Sequence, residues 1–536
     1  MEGCNRKGKV YTAITIGPIG KTLGKARKVK AYWSASYMFS WIMRELLSRI
    51  SKIEGLEIFS PAYDSTSSEA LPSGVGLFPD RAFIRGEGLS DQILEDMKSD
   101  TLDLLAFKLH DSFWKNNPDA ATDDIPSLEE LRLYLEDYIM IASVTIESNK
   151  EKGIISKLNQ YLDTLELRQR ATSSTNDYLT PFLAQNNSFI EQEIGKGTPF
   201  VTTSRIAVSG WLDDAQIKTC SDEEGSIDYA EVRKNEVLQK SYRNCYKYLA
   251  VVKADGDSFG KFIAELGDKE MQAFSQAFFD FSVQVAGDIA SPRTVPVYIG
   301  GDDLFFFVPI YSPERDEDIF SVISSVEACF GRFKAAVEGA EGLSLSYGVS
   351  IFYYKSPMSE AIEVANQLLG QAKSSGRDRV AVSIRKHSGR TIEFTLPCKE
   401  STHSAPVQEE EQGEQEKSPK LYAKTLELMR SLSKDEEVMI EGLIYWLDEM
   451  LDMVVVPILQ IQDQELRKKR LQALRENFFD EDIHSDYDGF LTQVFAFMYA
   501  FSLEHGVGTA EEISEFKKLI YGLLRYCQFI TDTEER

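Results

Sequence analysis

Two pairs of acidic residues stand where apolar segments of this chain end, and their types and spacing suit metal-assisted phosphoryl chemistry. Residues 295–299 and 304–308 are runs of β-branched and aromatic residues, and Gly300-Gly301-Asp302-Asp303 joins them. Each run has the length of a buried strand, and paired glycines permit a tight hairpin turn, so Asp302 and Asp303 are presented together at a sheet edge. Adjacent carboxylates repel unless neutralised, and hard oxygen ligands suit Mg²⁺ or Mn²⁺. Upstream, the apolar run 248–254 ends in Asp255-Gly256-Asp257 and passes at Ser258, Phe259 and Gly260 into a helical pattern. If that strand lies beside the hairpin, Asp255 and Asp302 could share two divalent ions about 3.5–4 Å apart, the arrangement of in-line nucleotidyl transfer. The following helix start would offer backbone N–H groups and a positive dipole end to a triphosphate. Taken singly, an Asp-Gly pair is an ordinary surface turn and Gly-Gly-Asp-Asp a solvated loop. In this order, each at the end of an apolar strand, they are far more specific.

The order strand, Asp-x-Asp, helix, Gly-Gly-Asp-Asp hairpin continues into residues 345–351 (Leu-Ser-Tyr-Gly-Val-Ser-Ile) and a helix ending Leu368-Leu369-Gly370-Gln371-Ala372-Lys373-Ser374-Ser375-Gly376-Arg377. This series resembles the cyclase-type palm in the large subunit of type III CRISPR effector complexes, of which diguanylate cyclases are more distant relatives. Ile14-Thr15-Ile16-Gly17-Pro18-Ile19, the stretch from Lys25 to Tyr37 and the turn Gly76-Leu77-Phe78-Pro79-Asp80-Arg81 are similar to the first palm of the type III-B version. The resemblance spans roughly residues 10–385.

The resemblance implies an α+β fold with two ferredoxin-like palm domains, a helical insertion between them and a C-terminal helical bundle. It implies an antiviral-defence subunit that binds guide RNA, target RNA and neighbouring subunits and polymerises ATP into a cyclic oligoadenylate second messenger. Asp255, Asp302 and Asp303 would be catalytic, and with the Gly256 carbonyl they would hold two Mg²⁺ or Mn²⁺ ions. Gly256, Asp257, Ser258, Phe259, Gly260, Gly300, Gly301, Ser346, Gly348 and Lys373 would contact nucleotide. Lys373 matches the family's triphosphate lysine, although an exposed helix lysine looks the same. Ser346 and Gly348 would leave room for a base, or serve strand packing. Asp257 is the doubtful ligand, because the geometry that aims Asp255 at a metal turns Asp257 elsewhere. Some family members instead join AMP to S-adenosylmethionine, and a silent RNA-complex scaffold is a third reading. The intact acids speak against the scaffold, and the second acid of the tetrad, the paired palm and the long tail speak against a freestanding diguanylate cyclase.

Two departures from the family pattern stand out. The His-Asp nuclease domain of longer members needs several metal-binding histidines, whereas this chain has five in all, the first being His110. His110-Asp111 reads as structural or solvated, so no such nuclease is expected. Cys4, Cys220, Cys245, Cys329, Cys398 and Cys527 lack ligand spacing, so no zinc is expected, and isolated thiols fit a reducing cytoplasm.

The net charge of −26 argues against bulk attraction to nucleic acid. Arg6, Lys7, Lys9, Lys21, Lys25, Arg27, Lys28 and Lys30 nevertheless form a basic N-terminal patch, either an RNA or subunit contact or a solvated helix face. No apolar run is long enough to span a bilayer, and no signal peptide is read at the start. Along 536 residues the expected domains are residues 1–88 (first palm, without an Asp-x-Asp and therefore without metal chemistry), 89–199 (helical inter-palm segment), 200–244 (return to the first palm), 245–398 (catalytic palm), 399–419 (acidic flexible linker) and 420–536 (helical domain).

Overall fold

A computed structural model describes residues 8–64, 74–117, 125–150, 152–167, 179–184, 202–222, 225–289, 294–398, 421–432, 439–479 and 487–533. The expected linker 399–419, together with Arg6 and Lys7 of the basic patch, lies outside the described residues.

The chain folds into mixed α and β structure built on two large sheets. The first contains β1 (Lys9–Gly17), β2 (Glu57–Ser60), β3 (Arg81–Arg85) and β4 (Met140–Ser148), ordered β2-β3-β1-β4 and antiparallel throughout. The second contains β5 (Tyr248–Asp257), β6 (Val295–Gly300) and β7 (Asp303–Pro309). After the small ladder of β8 (Tyr311–Ser312) and β9 (Glu317–Asp318), it continues with β10 (Ser344–Tyr353), β11 (Arg379–Arg385) and β12 (Thr391–Pro397). Its order is β12-β11-β10-β5-β7-β6. Within it, β10-β5-β7-β6 reads fourth, first, third, second along the chain, with helices after the first and third strands. The first sheet repeats that order from its opposite edge.

Strands β5 and β10 are buried along almost their whole length because helices cover both faces of the second sheet. Successive residues point to opposite faces, so a single register fixes two environments. Tyr347 reaches Glu327 of the helix Ile319–Ala336, on the face that also carries the helix Asp268–Ile289. There Phe259, Phe274, Phe278, Phe281, Phe330 and Phe333 form an aromatic core, with Phe259 and Phe278 stacked at 5.0 Å. The neighbouring residue, Gly348, faces the other way, beneath the helix Met358–Ser374. Next to that helix the same face receives the helix Val29–Ile50, whose Tyr32 meets Phe305 edge-on at 5.1 Å.

Two polar clamps join the first sheet to the second unit. Gly76 bridges to Tyr298 on the edge strand β6, its N–H donating to Val297 O (3.2 Å) and its carbonyl accepting from Ile299 N (2.8 Å). The buried carboxylate of Asp268 accepts from Lys9 (2.9 Å), Tyr11 (2.9 Å) and Arg85 (2.7 Å). Burial works to raise the Asp268 pKa, but these hydrogen bonds outweigh it and hold the carboxyl below its usual range.

Two stretches differ from their sequence-based expectation. The segment 89–199 is not purely helical: residues 140–148 alternate β-branched and polar side chains and pair along the whole of β1 as β4. Residues 202–240 do not return to the first sheet. Their short helices pack on the second unit, where Thr203 Oγ1 donates to Tyr354 O (2.7 Å) and Trp211 stacks on Tyr246 at 4.5 Å. Both rings are buried beside the start of β5, and large aromatic side chains dominate such packing.

C-terminal helices follow, including Leu421–Leu432, Ile440–Met450, Gln464–Phe478, Asp488–Glu504 and Ala510–Thr531. They dock through Tyr526, whose ring meets Phe320 edge-on at 5.3 Å, and through Tyr422 Oη, which donates to Phe320 O (2.8 Å). Among the described residues no helix is long and apolar enough to cross a membrane.

Asp268→Ala leaves Lys9, Tyr11 and Arg85 without their buried partner. It is expected to cost about 3 kcal/mol in urea unfolding, in line with the loss of one partner from a buried ion pair. An unchanged unfolding midpoint would show that the clamp does not hold the two units together.

Candidate active site

The hairpin is built as its residues dictate. Gly300 pairs with Asp303, leaving Gly301 and Asp302 as the linking residues, and Gly301 takes a positive φ of 71° that its missing Cβ permits. Strand β7 pairs with β5 as far as Leu304 opposite Ala254, and one step beyond that pair Asp255 comes alongside Asp303. Gly256 points to the opposite face, where a Cβ would lie 2.4 Å from the Phe259 ring and 2.7 Å from Asp302 Cβ. Only glycine lets the hairpin turn approach the end of β5 this closely.

The charges confirm the convergence. Burial, then the Asp255 charge, raises the Asp302 pKa to about 6. Burial, then the charges of Asp255 and Asp302, raises that of Asp303 to about 7. Asp303 is exposed at the cleft, so solvent screens part of this repulsion. Lys373 Nζ sits 2.5 Å from Asp255 Oδ2 and donates to the Gly256 carbonyl (3.2 Å). Lys253, two residues before Asp255 on the same face of β5, donates to Asn366 Oδ1 (2.6 Å). Burial lowers its pKa, while Asp303 and Asp255 act to raise it.

Asp257 is not at the carboxylate cluster. It is buried at 2 % exposure, and its Oδ2 accepts from Ser344 Oγ (2.9 Å), Ser346 Oγ (2.8 Å) and the Asp378 N–H (3.1 Å). It therefore fastens the turn after the helix Met358–Ser374, where Arg377 and Asp378 both have positive φ. Two residues expected to contact nucleotide are corrected with it. Ser346 is fully buried and spends its hydroxyl on Asp257. Gly348 lies so close under the helix that a Cβ would stand 2.1 Å from Ala365 O, so its small size serves helix–strand packing. Gly300 lies under its own neighbour Tyr298, whose ring fills the space a side chain would take. Ser258 occupies the left-handed region (φ 70°) as the cap of the helix Phe259–Glu265, and Phe259 is buried in the aromatic core, leaving Ser258 and Gly260 exposed.

A cleft of about 330 Å³ opens between the two units, lined by Asp302, Asp303, Gly301, Tyr298, Asp80 and Arg81. A second cavity of about 220 Å³ adjoins it at Asp80, Tyr298 and Asp303 and contains Lys253 and Tyr32. Asp80 and Lys253 were not anticipated as site residues. Asp80, on the Gly76–Arg81 turn, is raised by burial and in turn raises Asp302 and Asp303. The clamp at Gly76 is what carries it there.

The oxygen donors are of the right kind for Mg²⁺ or Mn²⁺: Asp255, Asp302, Asp303 and the Gly256 carbonyl. Among the described residues no three acidic, histidine or cysteine side chains close a metal cage by themselves, and Asp255 is engaged by Lys373. Mg²⁺ is commonly held by one or two carboxylates together with substrate phosphates and waters, so the rest of a coordination shell here would have to come from substrate and water. Elsewhere, His110 Nε2 accepts from Trp114 Nε1 (3.0 Å) and Asp111 pairs with Lys115 (2.7 Å). Of the basic patch, Lys21 and Lys25 lie over the Tyr138 ring and Lys30 is buried.

A βαββαβ sheet that presents carboxylates at the end of its first strand and on its hairpin defines a cyclase-type palm. Residues 248–381 match the family described as Cas10/Cmr2, second palm domain, and residues 11–97 match the N-terminal region of the CRISPR-associated protein Cmr2. These matches support a type III CRISPR large subunit. It is 25% identical over 232 residues to the CRISPR system Cmr subunit Cmr2 of Pyrococcus furiosus, covering 37% of this chain and 26% of that protein. It is 28% identical over 154 residues to the single-strand-specific deoxyribonuclease Cas10/Csm1 (subtype III-A) of Thermococcus onnurineus, covering 25% and 18%. The matched segments thus span about a quarter or less of either relative. A chain in the type III-B Cmr-beta apo-state cryo-EM structure shares the fold, with a TM-score of 0.54 at 11% identity, over 94% of this chain and 82% of that one.

The raised carboxyls carry a sign. A group whose folded pKa exceeds its unfolded value stabilises the fold below the unfolded pKa and loses that contribution as pH rises through the folded pKa. Metal-free protein should therefore lose stability between about pH 4 and pH 7, from the values of Asp302 and Asp303. Asp303→Asn should raise the melting temperature at pH 8 by a few degrees, with the gain vanishing near pH 4, and should blunt stabilisation by added Mg²⁺. A pH-independent difference between variant and parent would contradict the assigned electrostatics.

Proposed function

We propose that this chain is the nucleotide-polymerising large subunit of an RNA-guided type III CRISPR effector complex, acting in the cytoplasm and making cyclic oligoadenylate from ATP when target RNA is bound. The observation that carries this reading is the Asp302–Asp303 hairpin, within the field of Asp255, on a cleft lined by residues of two sheets of the same strand order. We read the first sheet as a second palm, without chemistry of its own, that supplies the opposite wall of the cleft.

Asp255, Asp302, Asp303 and the Gly256 carbonyl would hold two Mg²⁺ or Mn²⁺ ions, which neutralise phosphate charge and lower the pKa of an attacking hydroxyl. Lys373, now on Asp255, is within a side-chain rotation of a triphosphate bound there, and its release from Asp255 would accompany substrate entry. Lys253 balances the acid cluster from beneath and keeps Asp303 ionisable. The new bond joins a 3′-oxygen to the α-phosphorus of ATP, the α–β phosphoanhydride bond breaks, the hydroxyl proton passes to solvent and pyrophosphate leaves. Asp80 and Arg81 line the cleft, where the acceptor nucleotide would lie. The similarity to Cas10/Cmr2 proteins supports the partners, guide RNA and target RNA among them.

The purified complex incubated with ATP, Mg²⁺ and target RNA should yield oligoadenylates on anion-exchange chromatography. Asp302→Ala with Asp303→Ala should abolish product by at least a thousandfold while RNA binding persists, and Lys373→Ala should lower it by one to two orders of magnitude, chiefly through KM. A product that appears only with S-adenosylmethionine would replace the oligoadenylate reading, and undiminished synthesis by the double variant would refute the site.

A further inference from the structure

The last residues of β5 hold the helix Met358–Ser374 at three successive places on one face. Lys253, Asp255 and Asp257 alternate along the strand and so point the same way. Lys253 takes Asn366 in the body of the helix, Asp255 takes Lys373 in its last turn, and Asp257 takes the N–H of Asp378 just beyond it. The first two have parts in the chemistry above. Asp257 has none, yet it alone of the three is buried.

The bonds of Asp257 are arranged to hold backbone. Its Oδ2 accepts from both serine hydroxyls of β10, and the Asp378 N–H reaches this oxygen and Ser346 Oγ at 3.1 Å each. Its Oδ1, also buried, accepts no hydrogen bond among the described residues and has Arg377 Nε at 3.8 Å. The segment so held is unfavourable on its own. Gly376, Arg377 and Asp378 take successive φ values of 120°, 64° and 52°, and the left-handed region disfavours residues that carry a Cβ. Such a segment persists where its surroundings over-determine it. It is also continuous with the helix, because the Ser375 N–H donates to Gln371 O (2.9 Å) and the Arg377 N–H closes the helix end on Ala372 O (3.1 Å). Lys373 lies inside these two bonds, so whatever fixes the turn fixes the backbone from which Lys373 extends.

In the nucleotidyl-transfer reading, on which this inference rests, Lys373 leaves Asp255 when a triphosphate enters. The helix end then loses one of its three ties. We propose that Asp257 is a positioning residue for Lys373: it anchors the turn after the helix, and so keeps the stem of Lys373 in register with the carboxylates while its ammonium passes from Asp255 to phosphate. Asp257 itself touches neither nucleotide nor metal. A long side chain that extends from a fixed backbone has less freedom to lose when it takes up a ligand, so the anchor acts on nucleotide affinity through Lys373. The division of labour along β5 follows from depth: the carboxylate that must exchange partners is half-buried, and the one that must not is enclosed by Ser344, Ser346 and the turn.

The test is a double-variant cycle in the full-length chain, read as equilibrium binding of a non-hydrolysable ATP analogue with Mg²⁺. Asp257→Ala and Lys373→Ala are each expected to weaken binding about tenfold, and the two together no more than Lys373→Ala alone, because one residue acts through the other. Asp257→Asn keeps an oxygen that accepts from Ser344, Ser346 and the Asp378 N–H, and should bind within about threefold of the parent. Should Asp257→Ala fail to fold, Ser346→Ala is the milder probe, and its loss should likewise vanish in the Lys373→Ala background. In the assembled complex with target RNA, Asp257→Ala should raise KM for ATP and leave kcat within about threefold, since Asp255 keeps its place on the strand. Additive losses in the double variant, parent-like binding by Asp257→Ala, or a fall in kcat as large as the rise in KM would each overturn the proposal alone. Failure of the wider reading looks different: Asp302→Ala with Asp303→Ala would bind the analogue as tightly as the parent, and the proposal would fall with it.

Discussion

Like charges forced together at the end of one strand set the terms for the rest of this fold. Burial raises the pKa values of Asp302 and Asp303, and the charge of Asp255 adds to it, bringing them to about 6 and about 7. A fold that retains such a cluster must neutralise it. Lys373 reaches Asp255 from the helix above the sheet, and Lys253 approaches Asp303 from within β5. Gly256 and Gly301 remove the side chains and the backbone restriction that would keep the hairpin away. Divalent cations and phosphate bound there, as proposed, would relieve this repulsion, which would be a physical reason for the site to take metal and substrate together.

The second unit alone does not complete the cleft. Its opposite wall comes from the first sheet, and the contact is specific: two backbone hydrogen bonds at Gly76 and a three-donor clamp on Asp268. Asp80 reaches the hairpin only because the turn that carries it is fastened to β6. Any change that moves the first unit therefore changes the charge and width of the cleft without touching Asp255, Asp302 or Asp303.

The local motifs were legible in the sequence because their chemistry is local. Gly-Gly-Asp-Asp between two apolar runs specifies a hairpin, and the apolar run before Asp-Gly-Asp specifies a strand leading to a helix, although Asp255-Gly256-Asp257 are not a turn but the last strand residues, paired with β10. The divergent fates of Asp255 and Asp257 were foreseen in kind, and the partners of Asp257 were not, because Ser344, Ser346 and the Asp378 N–H meet it only through β10 pairing and the turn after the helix. Ser346 and Gly348 lie on the strand beside the site, yet the helix Met358–Ser374 covers their face, and no spacing reveals which face a later helix will choose. Lys253 looks like a polar break in an apolar strand, and Asp80 like a turn residue. Their roles arise from approach in space across distances of 50 to more than 200 residues, to which periodicity is blind. Strand β4 was hidden for a related reason: nine alternating residues between helices carry a weak signal until β1 supplies the partner.

The claim on which the account rests is that Asp255, Asp302 and Asp303 share bound divalent cations with ATP. Its most direct test is a crystal structure of the chain grown with Mn²⁺ and a non-hydrolysable ATP analogue, with data collected at the manganese absorption edge. The account predicts anomalous peaks about 2.2 Å from carboxylate oxygens of Asp255 and of the Asp302–Asp303 turn, with Lys373 moved from Asp255 onto the triphosphate. Manganese bound elsewhere, or nucleotide in the cleft with the Lys373–Asp255 pair intact and no metal between the carboxylates, would contradict it.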